Sequence, residues 1–304
     1  MNPLDGLLAL LVFPGLLYAL PMGWLMAGSE RRIVARLQGR IGPPVTQAFY
    51  DCVKLLAKWP VARPLGDTFI LTLLPLLAVG CALGALALLP ALGGRQGFVG
   101  DLILFVGLLE MAPLCAVLAG FASRSVYGAV GAAREAVLGI SGNVPFLAAL
   151  LALAVASGSL SMARIAQAPW AVRLPALLAI LACLPVKLRL NPFSVANAEQ
   201  EILAGPLTEY DGPRLALWEL AHGLEWVALT GLVAAFLVPV QGLPRTWGVV
   251  LFALASFALV PLLATLAAAT ARLKVQQATR FLWRWASLAA AVAVIVALIR
   301  HGRA

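Results

Sequence analysis

Glu219, His222 and Glu225 fall at positions i, i+3 and i+6 in a stretch apolar enough to cross a membrane. On a helix that spacing lays them in a slanting strip about 9 Å long. Three titratable groups so arranged could hand a proton along, which is how acids and histidines serve inside membrane proteins. The same strip can also be a Glu219 that snorkels toward headgroups above a His222–Glu225 pair that satisfy each other. The strip closes a longer segment, Asn197 to Glu225, which reads NAEQEILAGPLTEYDGPRLALWELAHGLE. It holds six of the chain's thirteen acids: Glu199, Glu201, Glu209, Asp211, Glu219 and Glu225.

Three other places carry polar groups that an apolar chain does not need. Glu110 stands in the middle of the apolar run Val99–Ala122, with nothing polar within a helical turn, so any partner must come from another helix. In RSVYGAVGAAREAVLGISGN, Arg124 to Asn143, the neighbours Arg134 and Glu135 point about 100° apart on a helix and need not pair. Asn143 lies about 12 Å further along that helix. The stretch Glu30 to Lys58, ERRIVARLQGRIGPPVTQAFYDCVKLLAK, is cationic. Its charges can be topology determinants, or can bind anionic lipid or an acidic partner. Glu110, Glu135, Asn143, Glu219, His222 and Glu225 come from three different apolar runs. If those runs touch, they make a buried polar path.

The elements that must position them are membrane spans. Of 304 residues, 62% are hydrophobic and 12% charged, which excludes a soluble fold. Apolar windows place eight transmembrane helices at Leu4–Met26, Thr68–Ala91, Val99–Ala122, Ala133–Ala156, Val172–Leu188, Pro213–Val240, Pro244–Ala268 and Phe281–Arg300. Between the first two, Gly42-Pro43-Pro44 forces a turn before an amphipathic stretch, about 45–59, with Phe49, Val53, Leu56 and Ala57 at helical spacing. The expectation is an all-α integral membrane protein, a single membrane domain over 1–304, with a cytoplasmic amphipathic surface helix and an acidic cytoplasmic loop at about 189–212. Lys and Arg number sixteen on the side of that loop and six on the other, which puts both termini outside. That bias also accounts for the net charge of +9 without nucleic acid. Cys52, Cys81, Cys115 and Cys183 are isolated and make no iron–sulfur or zinc spacing, so no cofactor is expected in this chain. The first span, with Asp5 and no cation before it, is no signal peptide. Without an inverted repeat, an independent secondary transporter is the weaker explanation of the acids.

LAGFASRSVYGAVGAAREAVLGIS and AEQEILAGPLTEYDGPRLALWEL resemble the membrane-anchor subunit shared by respiratory complex I, the NADH dehydrogenase subunit 1 family, and membrane-bound group 4 [NiFe] hydrogenases. ERRIVARLQGRIGPP is similar to that family's first cytoplasmic loop. The resemblance implies a subunit that grips a peripheral redox arm and relays protons or charge toward antiporter-like membrane subunits. It assigns the relay to Glu110, Glu135, Asn143, Glu199, Glu201, Glu209, Asp211, Glu219, His222 and Glu225. Arg31, Arg40, Asp51, Lys54, Arg124 and Arg134 are assigned to the interface with the arm. Two features favour the formate hydrogenlyase and energy-converting hydrogenase branch: the short path from Gly42-Pro43 to Gln47, and Gly205-Pro206-Leu207 after the first acids. The implied partners are hydrogenase large and small subunits, which would hold the Ni–Fe site, an iron–sulfur electron-transfer subunit, antiporter-like subunits and membrane lipid. The implied location is a bacterial or archaeal cytoplasmic membrane. The other branch would make the chain the quinone-site subunit of an NADH:quinone oxidoreductase. Two departures bear on the relay. Asn143 stands where the family commonly has a glutamate, and an amide can orient a water but takes up no proton at neutral pH. His222 likewise stands where complex I members usually have an acid.

Overall fold

The computed structural model describes residues 9–59, 68–91, 101–238 and 244–302. Positions 4–8, 99–100 and 239–240 of the expected spans, together with Arg63, Arg95 and Arg303 of the charge count, lie outside the described residues. The longer helices are α1 (Leu16–Leu37), α2 (Gln47–Leu56), α3 (Thr68–Ala87), α4 (Leu102–Ala122), α5 (Val126–Ser157), α6 (Trp170–Lys187), α7 (Gly212–Leu237), α8 (Arg245–Ala269), α9 (Val275–Phe281) and α10 (Ser287–His301), with single turns at Met162–Ile165 and Glu199–Ile202. A π turn, Leu282–Ala286, joins α9 to α10 and makes them one span. Among the described residues eight helices are long and apolar enough to cross a membrane, and α2 is the short ninth element expected at the surface. The protein is an all-α membrane protein.

α7 is the axis. It packs against α1, α2, α3, α6 and α8, and 78% of its most apolar window is buried within the chain, against 28% for the last span. In lipid there is no hydrophobic gain from joining two apolar helices, so close approach of backbones carries the packing. Gly23 on α1 meets Gly223 on α7, where a Cβ on Gly23 would stand 2.5 Å from the Gly223 carbonyl oxygen. α5 is the second hub, touching α4, α6, α9 and α10. Apolar side chains from the spans form one main core, with Phe105, Phe146, Leu153, Ile180, Trp226 and Phe252 fully buried.

The helix ends differ from expectation where they matter. α1 continues to Leu37, so Glu30, Arg31, Arg32 and Arg36 are helical rather than part of a loop. α5 starts at Val126, seven residues before the expected Ala133, and has 32 residues. At 1.5 Å per residue it is about 48 Å long against a hydrocarbon core of about 30 Å, so its first turns project beyond the core and Arg134 and Glu135 stand at the edge. On α2, Val53 and Leu56 are exposed, the Phe49 ring packs edge-on against Trp24 of α1 at 5.1 Å, and Cys52 is the side chain buried against α1 and α7. Both the burial and the nearby Glu219 push the Cys52 thiol up, so it remains an uncharged filler.

α6 ends in an unusual way. The Leu190 N–H donates to the Pro185 carbonyl at 2.8 Å and the Arg189 N–H to that of Val186 at 3.1 Å, the paired bonds of a Schellman cap. The residue that must take the left-handed conformation there is Arg189, at φ +55°. The equivalent cap of α1 uses Gly39, at φ +74°. A side chain at such a φ costs about 1–2 kcal/mol relative to the usual region, so Arg189 is held there by what its guanidinium does.

Candidate functional site

The site begins in a cleft between α1, α2 and α7. Glu30, Arg31, Leu190, Glu219, His222 and Trp226 line a cavity of about 80 Å³ there. Glu219 is exposed on the cleft wall and faces the Arg31, Asp51, Lys54 and Lys58 side as well. One turn deeper, His222 is half-buried, and one further turn brings Glu225, which is only 3% exposed. The Trp226 indole N–H donates to His222 Nε2 at 3.3 Å. An indole nitrogen can only donate, so Nε2 accepts, and Nδ1 carries the proton that faces Glu225 Oε2, also at 3.3 Å. The helical strip read from the spacing is present, with its inner two members bonded and its outer member open to the cleft.

Arg189 forms the next station. Its Nε donates to Glu135 Oε1 at 2.8 Å, and Nη1 lies 3.7 Å from Glu225 Oε2. The three side chains are 13%, 12% and 5% exposed, so two acids from different spans share one buried cation. Burial alone would make the guanidinium easier to deprotonate, but Glu135 and Glu225 more than reverse this and its pKa is raised. The strained φ at Arg189 thus has its reason: the turn aims the side chain between α5 and α7.

The third station joins α4, α5 and α6. Asn143 Nδ2 donates to Glu110 Oε2 at 2.8 Å, and Asn143 Oδ1 accepts from Lys187 Nζ at 2.7 Å. Lys187 also donates to Glu110 Oε1, closing a triangle, and sits 4.4 Å from the centre of the Phe146 ring. Glu110 does take its partners from other helices, as its isolation on α4 requires. Arg134 and Glu135 diverge as their spacing implies: Arg134 Nη1 donates to Glu201 Oε2 at 2.6 Å while Glu135 turns inward.

The remaining assigned residues lie around this core. Arg134 ties α5 to the acidic loop through Glu201 and, at 3.5 Å, the Val195 carbonyl. The loop itself is seated on the α4–α5 hairpin, where a Cβ on Gly131 would come within 2.6 Å of Gly205. Glu209 is half-buried in that loop, and Asp211 occupies the N-cap position of α7. The Glu199 side chain falls outside the described residues. Asp51 accepts from Gln47 at 2.8 Å and pairs with Arg31 at 3.6 Å, bridging α2 to α1. Arg40, Lys54 and Arg124 are exposed. Among the described residues no three His, Cys, Asp or Glu side chains gather as a metal site would need.

Sequence reasoning missed four members: Glu30, Trp226, Lys187 and Arg189. The two cations enter the sequence reading only as loop charges that set topology. The signal that could have found them is electrostatic. Buried acids need counter-charges, and cations at the very end of a span are within a side chain's reach of the interior.

The family model described as NADH dehydrogenase matches residues 8–298. Hydrogenase-4 component C of Escherichia coli (strain K12) is 33% identical over 243 residues, 77% of each chain. Formate hydrogenlyase subunit 4 of the same organism is 31% identical over 224 residues, 71% of this chain and 73% of that one. NADH-quinone oxidoreductase subunit 8 of Thermus thermophilus is 31% identical over 305 residues, 91% of this chain and 81% of that one. Among solved structures, a chain of the membrane-bound sulfane sulfur reductase, an archaeal respiratory membrane complex, superposes with a TM-score of 0.85 at 27% identity. That match covers 97% of this chain and 98% of the other.

Proposed function

The chain belongs to the NADH dehydrogenase family, and from that premise we propose that it is the membrane-anchor and proton-relay subunit of a membrane-bound [NiFe] hydrogenase complex. The observations that carry the relay are a bonded run of charges from the α1–α2–α7 cleft through His222, Glu225 and Arg189 to Glu135, and a separate charged triangle at Glu110 and Lys187 whose Asn143 lies about 12 Å further along α5. Buried ionisable groups are costly in a membrane domain, and here every station has a partner that can exchange or orient a proton. Water in the cleft reaches Glu30, Glu219 and His222. When the Trp226 indole releases Nε2, His222 takes a proton there and passes its Nδ1 proton to Glu225. A proton passes from Glu225 to Glu135 through water beside Arg189, which stays charged and balances whichever acid is ionised. Glu110, with Asn143 orienting, is the innermost acid. Glu201, Glu209 and Asp211, with Glu199, make the acidic entrance beside the docked arm. The arm, not this chain, would hold the Ni–Fe site and iron–sulfur clusters.

The hydrogenase branch is favoured by the short link from Gly42-Pro43 to α2. The second reading, a quinone-site subunit of an NADH:quinone oxidoreductase, rests on the near full-length likeness to the Thermus subunit. In either reading the α2 end of the bundle faces the cytoplasm and both termini lie outside, in a bacterial or archaeal cytoplasmic membrane.

The test is a gentle-detergent pull-down of the tagged chain, with nickel, iron and flavin measured on the eluate. Hydrogen evolution, quinone reduction and polysulfide reduction are assayed on the same sample. Stoichiometric nickel with hydrogen evolution is expected. Iron and flavin without nickel, with quinone reduction, would select the second reading, and sulfide production without nickel would reject both. A lone, metal-free chain would return the buried acids to an independent transporter.

A further inference from the structure

We infer that Lys187 is the proton-carrying group of the α4–α5–α6 triangle. This rests on the relay reading above and deepens it at one station.

The geometry assigns the three side chains different parts. Asn143 is fixed at both ends, its amide nitrogen donating to Glu110 and its amide oxygen accepting from Lys187. With both ends engaged it is a rigid bridge, and an amide exchanges no proton at neutral pH. The other members are Glu110 and Lys187, which are in direct contact. The side chain of Lys187 is only 8% exposed and that of Glu110 21%, although Lys187 is the last residue of its helix. Its ammonium therefore turns inward from the span end rather than outward to the headgroups, the opposite of ordinary snorkelling. The Phe146 ring face takes up the remaining side of the ammonium. The other titratable group near it is the Cys183 thiol, one turn earlier on α6 and fully buried.

A lysine so placed can do what an arginine cannot. An ammonium can give up a proton, whereas a guanidinium does not deprotonate in proteins. The two cations at the end of α6 then divide the work: Arg189 is the fixed counter-charge and Lys187 the exchanging one. At rest the triangle holds a carboxylate and an ammonium, with no net charge. A proton arriving on a Glu110 oxygen makes the neutral acid and leaves the ammonium without a counter-charge. One Lys187 N–H bond then breaks and its proton passes to a water. The neutral amine next takes the proton from Glu110, which restores carboxylate and ammonium. One proton enters, one leaves, and nothing is oxidised or reduced.

The experiment uses the complete complex reconstituted in vesicles, with proton uptake measured as the protons translocated across the membrane per electron pair, beyond those consumed in forming hydrogen. Lys187→Arg preserves the charge and the ion pair but removes proton exchange. We expect it to co-purify with its partners, to transfer electrons, and to lose at least tenfold in proton uptake. Lys187→Gln should lose as much. Full uptake in Lys187→Arg would overturn the inference, because Lys187 would then be a counter-ion only, while the relay through Glu110 would still stand. No uptake by the unaltered complex would overturn both. Should the arginine prevent assembly, Lys187→His supplies a smaller exchangeable group. Uptake that recovers as pH falls toward the histidine range would support the carrier role, and uptake as low as in Lys187→Gln at every pH would sink it.

Discussion

Among the described residues, two charged side chains reach the most buried class: Glu225 on α7, 3% exposed, and Arg173 on α6, 6% exposed. They lie toward opposite ends of the bundle and are held in opposite ways. Glu225 is surrounded by groups that titrate or carry charge, His222 at 3.3 Å and Arg189 at 3.7 Å. Arg173 is held by main-chain oxygens, donating to Ala168 at 2.6 Å and Phe236 at 3.5 Å, with its guanidinium 4.4 Å from the Trp170 ring. Phe236 is in the last turn of α7, so Arg173 caps a helix whose carbonyls lack partners there. A carbonyl cannot accept a proton in exchange, so the Arg173 end is a fastening. The Glu225 end has the parts of a relay. Burial of a charge alone does not mark function. The chemistry of its partners does.

That contrast can be broken most forcefully at Arg189. Arg189→Leu would leave Glu135 and Glu225 buried without their cation, and removing one partner of a buried pair costs about 3–5 kcal/mol. We expect a large fall in thermal stability in detergent and loss of assembly. Arg189→Gly relaxes the left-handed turn, worth about 1 kcal/mol, and should still be strongly destabilised, because the ion pairs outweigh the strain. A glycine variant as stable as the parent would show that the turn, and not the charge, explains the residue. Arg173→Leu should cost less, about 1–2 kcal/mol, since lost charge-assisted bonds to carbonyls are partly offset by relief of desolvation. Its proton coupling should be unchanged.

Conservative amide variants invert the pattern. Glu225→Gln keeps the shape and most hydrogen bonds and leaves Arg189 its pair with Glu135, so stability should move by no more than about 1 kcal/mol. Glu110→Gln takes the counter-charge from the buried Lys187 and should cost more, toward about 3 kcal/mol. Both should nevertheless assemble and lose most proton-coupled activity, measured as protons translocated, beyond those consumed in forming hydrogen, at constant electron transfer. Coupling retained in Glu110→Gln would remove it from the relay and leave the α4–α5–α6 triangle as packing.

The fold and the acids were open to reading in the sequence for a simple reason. Span length and the cost of a carboxylate in lipid are local properties, visible in windows of about twenty residues. Glu110, Glu135 and the Glu219–His222–Glu225 strip stand out against apolar neighbours, and the divergence of Arg134 from Glu135 follows from helical geometry. The cations did not stand out. Lys187 and Arg189 sit where a span meets a loop, the place where topology alone predicts Lys and Arg. Whether such a side chain turns out or in depends on a cap geometry and on which helices cross nearby, and those are long-range facts. Glu30 was hidden differently, because α1 runs eleven residues past the expected end at Met26 and carries it on a helix face toward α7.

The smallest effect lies at the surface, on the same cleft. Asp51 bonds Gln47 and pairs with Arg31, and both members of that pair are over 40% exposed. Exposed pairs are worth about 0–1 kcal/mol, so Asp51→Ala should leave the melting of the isolated chain nearly unchanged. Its effect should appear only with partners present. Losing Asp51 frees Arg31 and the first turn of α2, and makes a wall of the cleft more cationic, beside Lys54 and Lys58. If α2 and that wall meet the peripheral arm, Asp51→Ala should weaken co-purification of the arm, more so as salt is raised, while Glu225→Gln leaves it intact. Equal retention of the arm by both variants at every salt concentration would move the docking surface away from α2, and the relay would have to be entered from the acidic loop alone.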